Sequence, residues 1–297
     1  MITPEYLKNG DKVTIVAPAF CMPMGTLISA CDILRGWGLV PEYSDLVFSS
    51  CQKFLPDLEQ YSGTEAERSA DLTSALLSDS KAIICARGGY GSAHLTGILE
   101  RGIFAGHPKW LVGFSDITAL HALSLSDGVM SIHGPMCAGL NDNLRDTLFG
   151  KLHKYETYKA DFCVGGNASG TLVGGNMITL ASLSGTRTDM LAHKDIVLFL
   201  EEVDESFHAI DRQMRVIAGS PLFKNVKALV FGEFTDCVRD LPYASVEEML
   251  YEYVRNLGIP VAFGFPAGHG SVNVPFIEGS EVQLSVDSIG NFELRYI

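Results

Sequence analysis

The sequence predicts an α/β protein: an N-terminal parallel-sheet domain followed by a C-terminal mixed α+β domain. Three observations carry this. Through the first half, short apolar runs alternate with amphipathic helical stretches, the pattern of a sheet covered by helices on its faces. The pattern breaks over 151–170, around Lys151-Leu152-His153-Lys154-Tyr155-Glu156 and the pair Gly165-Gly166. Beyond it a fully apolar run returns, and the chain closes on two alternating runs around Ser288-Ile289-Gly290-Asn291, read as an antiparallel hairpin. We therefore divide the 297 residues into a domain over 1–150, a linker over 151–170 and a domain over 171–297.

In the first domain, Val13 to Ala17 is the first strand. Leu27, Ile28, Cys31, Leu34 and Trp37 then fall on one helical face, which Gly38 terminates. Thr64 and Glu67 have capping-box spacing and open a helix through Leu77. A strand over Ala82 to Ala86, a glycine turn, a helix from near Ser92 to Arg101 and a strand over Trp110 to Gly113 follow. In the second domain, Ile196 to Leu200 and Ala228 to Gly232 are buried strands. Phe207, Ile210, Met214 and Ile217 form one helical stripe, and Ser245 caps a helix running to Leu257.

Composition narrows the function. With 47% apolar and 19% charged residues the chain reads as a soluble globular protein, and no apolar run reaches the length of a membrane span. The N-terminus lacks the basic-then-apolar layout of a secretory signal, so a cytoplasmic location is expected. Net charge is −13 and the 22 Lys and Arg residues are scattered, which argues against nucleic acid as a partner. The seven cysteines are far apart, with no C-x-x-C pair and no H-E-x-x-H, so neither a disulfide nor a metal is expected. No fingerprint for a nucleotide cofactor or Walker lysine is present, and no cofactor is expected.

Chemistry concentrates in a few segments. Trp110 to His121 runs strand, tight turn, helix, and places Ser115 at the turn beside the helix's free N–H groups, as in a nucleophile elbow. Ile117 stands where the second glycine of G-x-S-x-G would be, and a helix cap by Ser115 or Asp116 is the competing reading. Upstream, Arg87-Gly88-Gly89-Tyr90-Gly91 also joins strand to helix; an amide of this turn, with that of Asp116, would suit an oxyanion hole. A serine needs a base. His269, in the rigid Gly264 to Ser271 loop, and His133, at the end of a short strand, are the two best placed of eight histidines. The orienting carboxylate is Glu201 or Glu202, which alternate at the end of the Ile196 to Leu200 strand.

Taken in order, these segments resemble the LD-carboxypeptidase family of serine peptidases. The resemblance runs from Leu7 to Val13 and Val16-Ala17-Pro18, through Ala86 to Gly91, Gly113 to Asp116, Gly174-Gly175-Asn176, Phe199 to Glu202 with Ile210-Asp211-Arg212, to Gly264 to His269. It implies a flavodoxin-like N-terminal sheet domain, Ser115 as nucleophile, Glu201 rather than Glu202 as the acid, and His269 rather than His133 as the base. It further implies an oxyanion hole from the backbone of Gly88, Gly89 and Asp116, and substrate contacts from Arg87, Asn176 and Arg212, with Arg87 or Arg212 meeting a terminal carboxylate. The implied activity is release of a terminal D-alanine from murein tetrapeptide in cell-wall recycling, by a homodimer, without a metal. Cleavage of a peptide–nucleotide antibiotic, as in microcin C immunity, is the alternative within the family. An α/β-hydrolase esterase and a non-catalytic binding protein are the alternatives outside it. Ala19-Phe20-Cys21 departs from the serines that family members often carry after Ala-Pro.

Overall fold

The structure, a computed structural model, describes residues 1–48, 61–151 and 158–297. The chain forms two compact units, Met1–His153 with Pro275–Ile277, and Lys154–Val274 with Glu278–Ile297.

The first unit follows the order β1 (Lys12–Val16), α1 (Met24–Gly36), β2 (Val40–Tyr43), α2 (Glu65–Leu77), β3 (Ala82–Cys85), α3 (Ser92–Leu95), α4 (Ile103–Gly106), β4 (Trp110–Gly113), α5 (Thr118–Ser126), β5 (Ser131–His133) and α6 (Asp142–Leu148). The strands β2, β1, β3, β4 and β5 are neighbours in that order and pair in parallel, with Phe276–Glu278 added at the β5 edge. This is the flavodoxin-like order, whose direction reverses between β1 and β3, and ligands of such sheets bind at the carboxyl ends of those strands. The strands are apolar on both faces because helices cover both, as in β3 and β4, where every residue is buried. Leu72, Leu76, Phe104, Leu111, Leu120 and Leu123 fill the core between sheet and helices. Each such side chain withdrawn from water contributes roughly 1.5–3 kcal/mol.

The capping box at α2 is complete: Glu67 N–H donates to the Thr64 hydroxyl at 3.2 Å, and Thr64 N–H to the Glu67 carboxylate at 2.8 Å. On α1 the buried stripe is Leu27, Ala30, Cys31 and Leu34, while Ile28 is 52% exposed. The i, i+3, i+4 pattern admitted Ile28, but the narrower stripe through Ala30 faces the sheet. The helix expected from near Ser92 to Arg101 is a single turn, α3, after which the chain turns to the Gly102-led α4.

The second unit comprises β6 (Tyr158–Lys159), β7 (Gly166–Asn176), α7 (Met177–Ser182), β8 (Ile196–Val203), α8 (Phe207–Gly219), β9 (Val226–Thr235), α9 (Val246–Val254), β10 (Val261–Ala262), β12 (Glu281–Val286) and β13 (Asn291–Tyr296), with β11 naming the Phe276–Glu278 strand. Its sheet runs β10-β9-β8-β7-β12-β13-β6, parallel on the β10 to β7 side and antiparallel beyond β7. It is thus mixed, with the β12–β13 hairpin where the alternating runs predict it. Of the linker expected over 151–170, residues 152–157 lie outside the described residues. Its remainder holds β6 and the start of β7, whose backbone groups pair with β13 and β12.

One expectation is corrected. Cys21 is disulfide-bonded; distance along the chain does not keep two cysteines apart in a fold. Cys31, Cys85, Cys137, Cys163 and Cys237 are free thiols. Among the described residues no helix is long and apolar enough to cross a membrane, and no cluster of His, Cys, Asp or Glu has metal-holding geometry.

Candidate active site

In the first unit, β4 ends at Gly113, Phe114 is extended, and Ser115 takes φ 64° before a 3₁₀ turn over Ser115–Ile117 leads into α5. A non-glycine residue at positive φ is uncommon and strained, and such strain concentrates at functional sites. The geometry is that of an elbow, and Ile117 explains its missing second glycine. A Cβ at Gly113 would lie 2.8 Å from Ile117 Cγ2, so the glycine before the serine makes room for the side chain after it.

His121, on α5, is fully buried. Its Nε2 lies 2.9 Å from the Gly113 carbonyl and its Nδ1 2.8 Å from the Ser131 hydroxyl, and burial lowers its pKa to about 4. It is a neutral brace behind the elbow. His133 is also buried, its ring stacked on Phe276 at 4.5 Å.

The glycine turn after β3 lies against the elbow. A Cβ at Gly88 would meet Ser115 Cβ at 3.0 Å, Ser115 Oγ at 3.1 Å and the Asp116 amide nitrogen at 3.5 Å, so glycine alone lets the two turns close together. Gly89 has φ 114° and the Phe20 ring lies across it. Asp116 stitches the turns: its Oδ2 accepts the Ser92 N–H at 2.8 Å and its carbonyl accepts the Ser92 hydroxyl. The buried Arg68 guanidinium donates to the carbonyls of Pro18 and Gly91, the latter at 3.0 Å, joining the loops that follow β1 and β3. Arg87 is half-buried, its guanidinium 5.7 Å from the Phe20 ring centre.

In the second unit, His269 Nδ1 lies 2.7 Å from Glu201 Oε2. Glu201 has no exposed surface. The β8–β9 register shifts between Leu200 and Glu202, and such an irregularity re-aims side chains. Both neighbouring glutamates are accordingly buried. Glu202 faces the start of α7: it accepts Asn176 Nδ2 at 2.6 Å, the Ile178 N–H at 2.9 Å and the Val203 N–H at 3.0 Å. Burial, opposed by those donors, raises its pKa to about 7. Asn176 is occupied too, its Oδ1 accepting the Thr179 N–H at 3.2 Å as the cap of α7. Arg212 is exposed on α8.

Comparison with known proteins bears on this arrangement. Residues 13–134 match the LD-carboxypeptidase N-terminal domain and residues 169–284 the LD-carboxypeptidase C-terminal domain. A murein tetrapeptide carboxypeptidase of Pseudomonas aeruginosa is 31% identical over 233 residues, covering 71% of this chain and 75% of its own. The chain belongs to the LD-carboxypeptidase family. A muramoyltetrapeptide carboxypeptidase from Oxalobacter formigenes, 26% identical, superposes with a TM-score of 0.81 over 95% of this chain and 97% of its own. The microcin C7 self immunity protein, 19% identical, shares the fold with a TM-score of 0.84 over the full length of both chains. As a family member this chain is a serine peptidase of the carboxypeptidase kind.

Three features of this LD-carboxypeptidase were missed in its sequence. Asn273 Oδ1 accepts the Gly268 N–H at 3.2 Å, bracing the histidine loop. Glu233, on β9, reaches the same loop at Gly270. Phe20, Tyr61 and Tyr90 form a run of ring contacts at 5.6 and 6.2 Å beside the glycine turn, with Tyr90 56% exposed. Trp110, by contrast, is in the core, stacked on Tyr6. The signal for Glu233 was present as Gly268-His269-Gly270, two glycines flanking one histidine.

Proposed function

We propose that the chain releases the terminal D-alanine from murein tetrapeptide, with Ser115 as nucleophile, His269 as general base and Glu201 as its orienting carboxylate. The single observation that carries this is the 2.7 Å contact between His269 Nδ1 and the buried Glu201. With Nδ1–H donated to Glu201, Nε2 holds the lone pair that takes a proton. In this reading Nε2 removes the Ser115 hydroxyl proton as Oγ attacks the carbonyl of the L,D amide. The backbone N–H groups near Gly88, Gly89 and Asp116 hold the resulting oxyanion. The C–N bond then breaks, His269 returns the proton to the leaving amine, and water hydrolyses the acyl-serine by the same steps. Arg87, adjoining Gly88, is the better placed of the two arginines for the substrate's terminal carboxylate. Cytoplasmic location and a homodimer belong to the same reading and rest on the family resemblance.

A second reading, cleavage of a peptide–nucleotide conjugate, is favoured by the exposed Tyr61 and Tyr90 rings, which offer a face for a nucleobase. Mass spectrometry of murein tetrapeptide incubated with the protein separates the two. The expected result is loss of one alanine with wild type and none with Ser115→Ala. Cleavage of an aminoacyl-sulfamoyl adenosine with the tetrapeptide left intact would replace the first reading by the second.

A further inference from the structure

We propose that Glu233 is a positioning residue for His269: its carboxylate, seated on Gly270, clamps one end of the Gly268-His269-Gly270 turn while Glu201 clamps the other. The inference rests on the reading of His269 as the base.

Both flanking glycines are explained by carboxylates. A Cβ at Gly268 would lie 2.9 Å from Glu201 Oε2, and one at Gly270 would overlap Glu233 Oε2. Gly268 has φ 127°, so its backbone also asks for glycine. Gly270 is not among the positive-φ glycines, so there the requirement comes from the space that Glu233 occupies. The Glu233 carboxylate lies against Gly270, and the Glu233 N–H donates to the Ala267 carbonyl at 3.1 Å. One β9 residue therefore holds the loop on both sides of the histidine, by its backbone at Ala267 and by its side chain at Gly270. The arrangement is costly: Glu233 Oε2 is buried without a hydrogen-bond partner, and burial and the charge of Glu201 both raise the pKa of this carboxyl. A glutamate serving only solubility would turn to solvent. Held in this way, the imidazole has its position set by β8 and β9 together.

The test is steady-state hydrolysis of murein tetrapeptide by wild type, E233A, E233Q, G270A, the E233A/G270A double variant and H269A, with thermal unfolding followed by circular dichroism. Misplacing a catalytic group by about 1 Å loses on the order of a hundredfold in rate, so E233A should lower kcat about 10- to 100-fold with KM within about twofold. E233Q, whose side chain keeps the shape that packs against Gly270, should stay within about threefold of wild type. G270A, by displacing the carboxylate, should match E233A, and the double variant should lose no more than either single one. Wild-type kcat in E233A, equal damage in E233Q and E233A, or additive losses in the double variant would each overturn the proposal. If E233A fails to fold, G270A decides alone: kcat unchanged from wild type overturns the clamp, and a selective loss of kcat supports it. An active H269A removes the triad reading beneath; an inactive H269A beside a wild-type E233A removes only this inference.

Discussion

The His269 Nδ1 atom and the Glu201 carboxylate meet at 2.7 Å, and the carboxylate is entirely withdrawn from solvent. A buried carboxylate so placed fixes the imidazole tautomer and offsets the charge that appears when the ring takes a proton. Glu201→Gln keeps the shape and removes the charge. Its kcat on murein tetrapeptide should fall on the order of 10³- to 10⁴-fold with the fold intact, as read by steady-state kinetics and circular dichroism. A loss below tenfold would mean that the contact is structural only.

Gly88 presents its α-carbon to the serine. Gly88→Ala places a methyl group 3.0 Å from Ser115 Cβ and 3.1 Å from Oγ, with no left-handed backbone requirement at the position. The crowding should cost about 1–3 kcal/mol of stability. The expected kinetic effect is a fall in kcat/KM of about 10- to 100-fold, because substrate and oxyanion would approach through the space taken. Unaltered kcat/KM would move the oxyanion site away from this turn.

Ser115 holds a backbone angle that glycine adopts freely and alanine only at a cost. Ser115→Gly and Ser115→Ala both lack the hydroxyl and should both be inactive, by about a millionfold in turnover. Their stabilities should differ: at φ 64° the glycine variant should be the more stable by about 0.5–1 kcal/mol in urea unfolding, the reverse of their order in a helix interior. Equal stabilities would show that the turn relaxes when the hydroxyl is lost.

Glu202 gives stability a pH dependence whose sign is set by its upward shift, from 4.5 to about 7. Between those values the folded state holds a proton that the unfolded state has released, so rising pH favours unfolding. The contribution is full below the unfolded pKa, is lost as pH rises towards 7, and then stays constant, a change of up to about 3 kcal/mol. Glu202→Gln cannot titrate. The stability difference between wild type and this variant, from urea unfolding at pH 5 and pH 7.5, should shrink by that order as pH rises. A constant difference would mean that the three N–H donors keep the carboxylate ionised throughout.

Much of the fold was legible because it follows from local rules. The Thr64 capping box, the Phe207, Ile210, Met214 and Ile217 stripe and the C-terminal hairpin each need only neighbours in sequence, and each forms where the pattern places it. The site was legible unevenly. Ser115 is marked by strand, turn and helix in succession. Glu201 and Glu202 were indistinguishable because strand alternation assumes a regular register, and the β8–β9 register slips between Leu200 and Glu202. Asn176 also caps α7 and holds Glu202, a use created by strand pairing that brings it opposite Glu201 and that no local pattern shows. Glu233 was marked only indirectly, by the glycine it packs against, because that partner lies on a loop 37 positions later in the numbering, at Gly270.

Gly113 and Ile117 form one unit of volume, the absent side chain at one position admitting the large one at the other. A tight serine turn needs a small residue where the chain folds back on itself, but geometry does not dictate on which side of the nucleophile that residue falls. A pattern search that demands glycine two places after the serine would therefore pass over this elbow. Exchanging the pair, with a bulky residue at 113 and glycine at 117, is a swap that conserves total bulk and asks whether such turns evolve by trading space across the nucleophile.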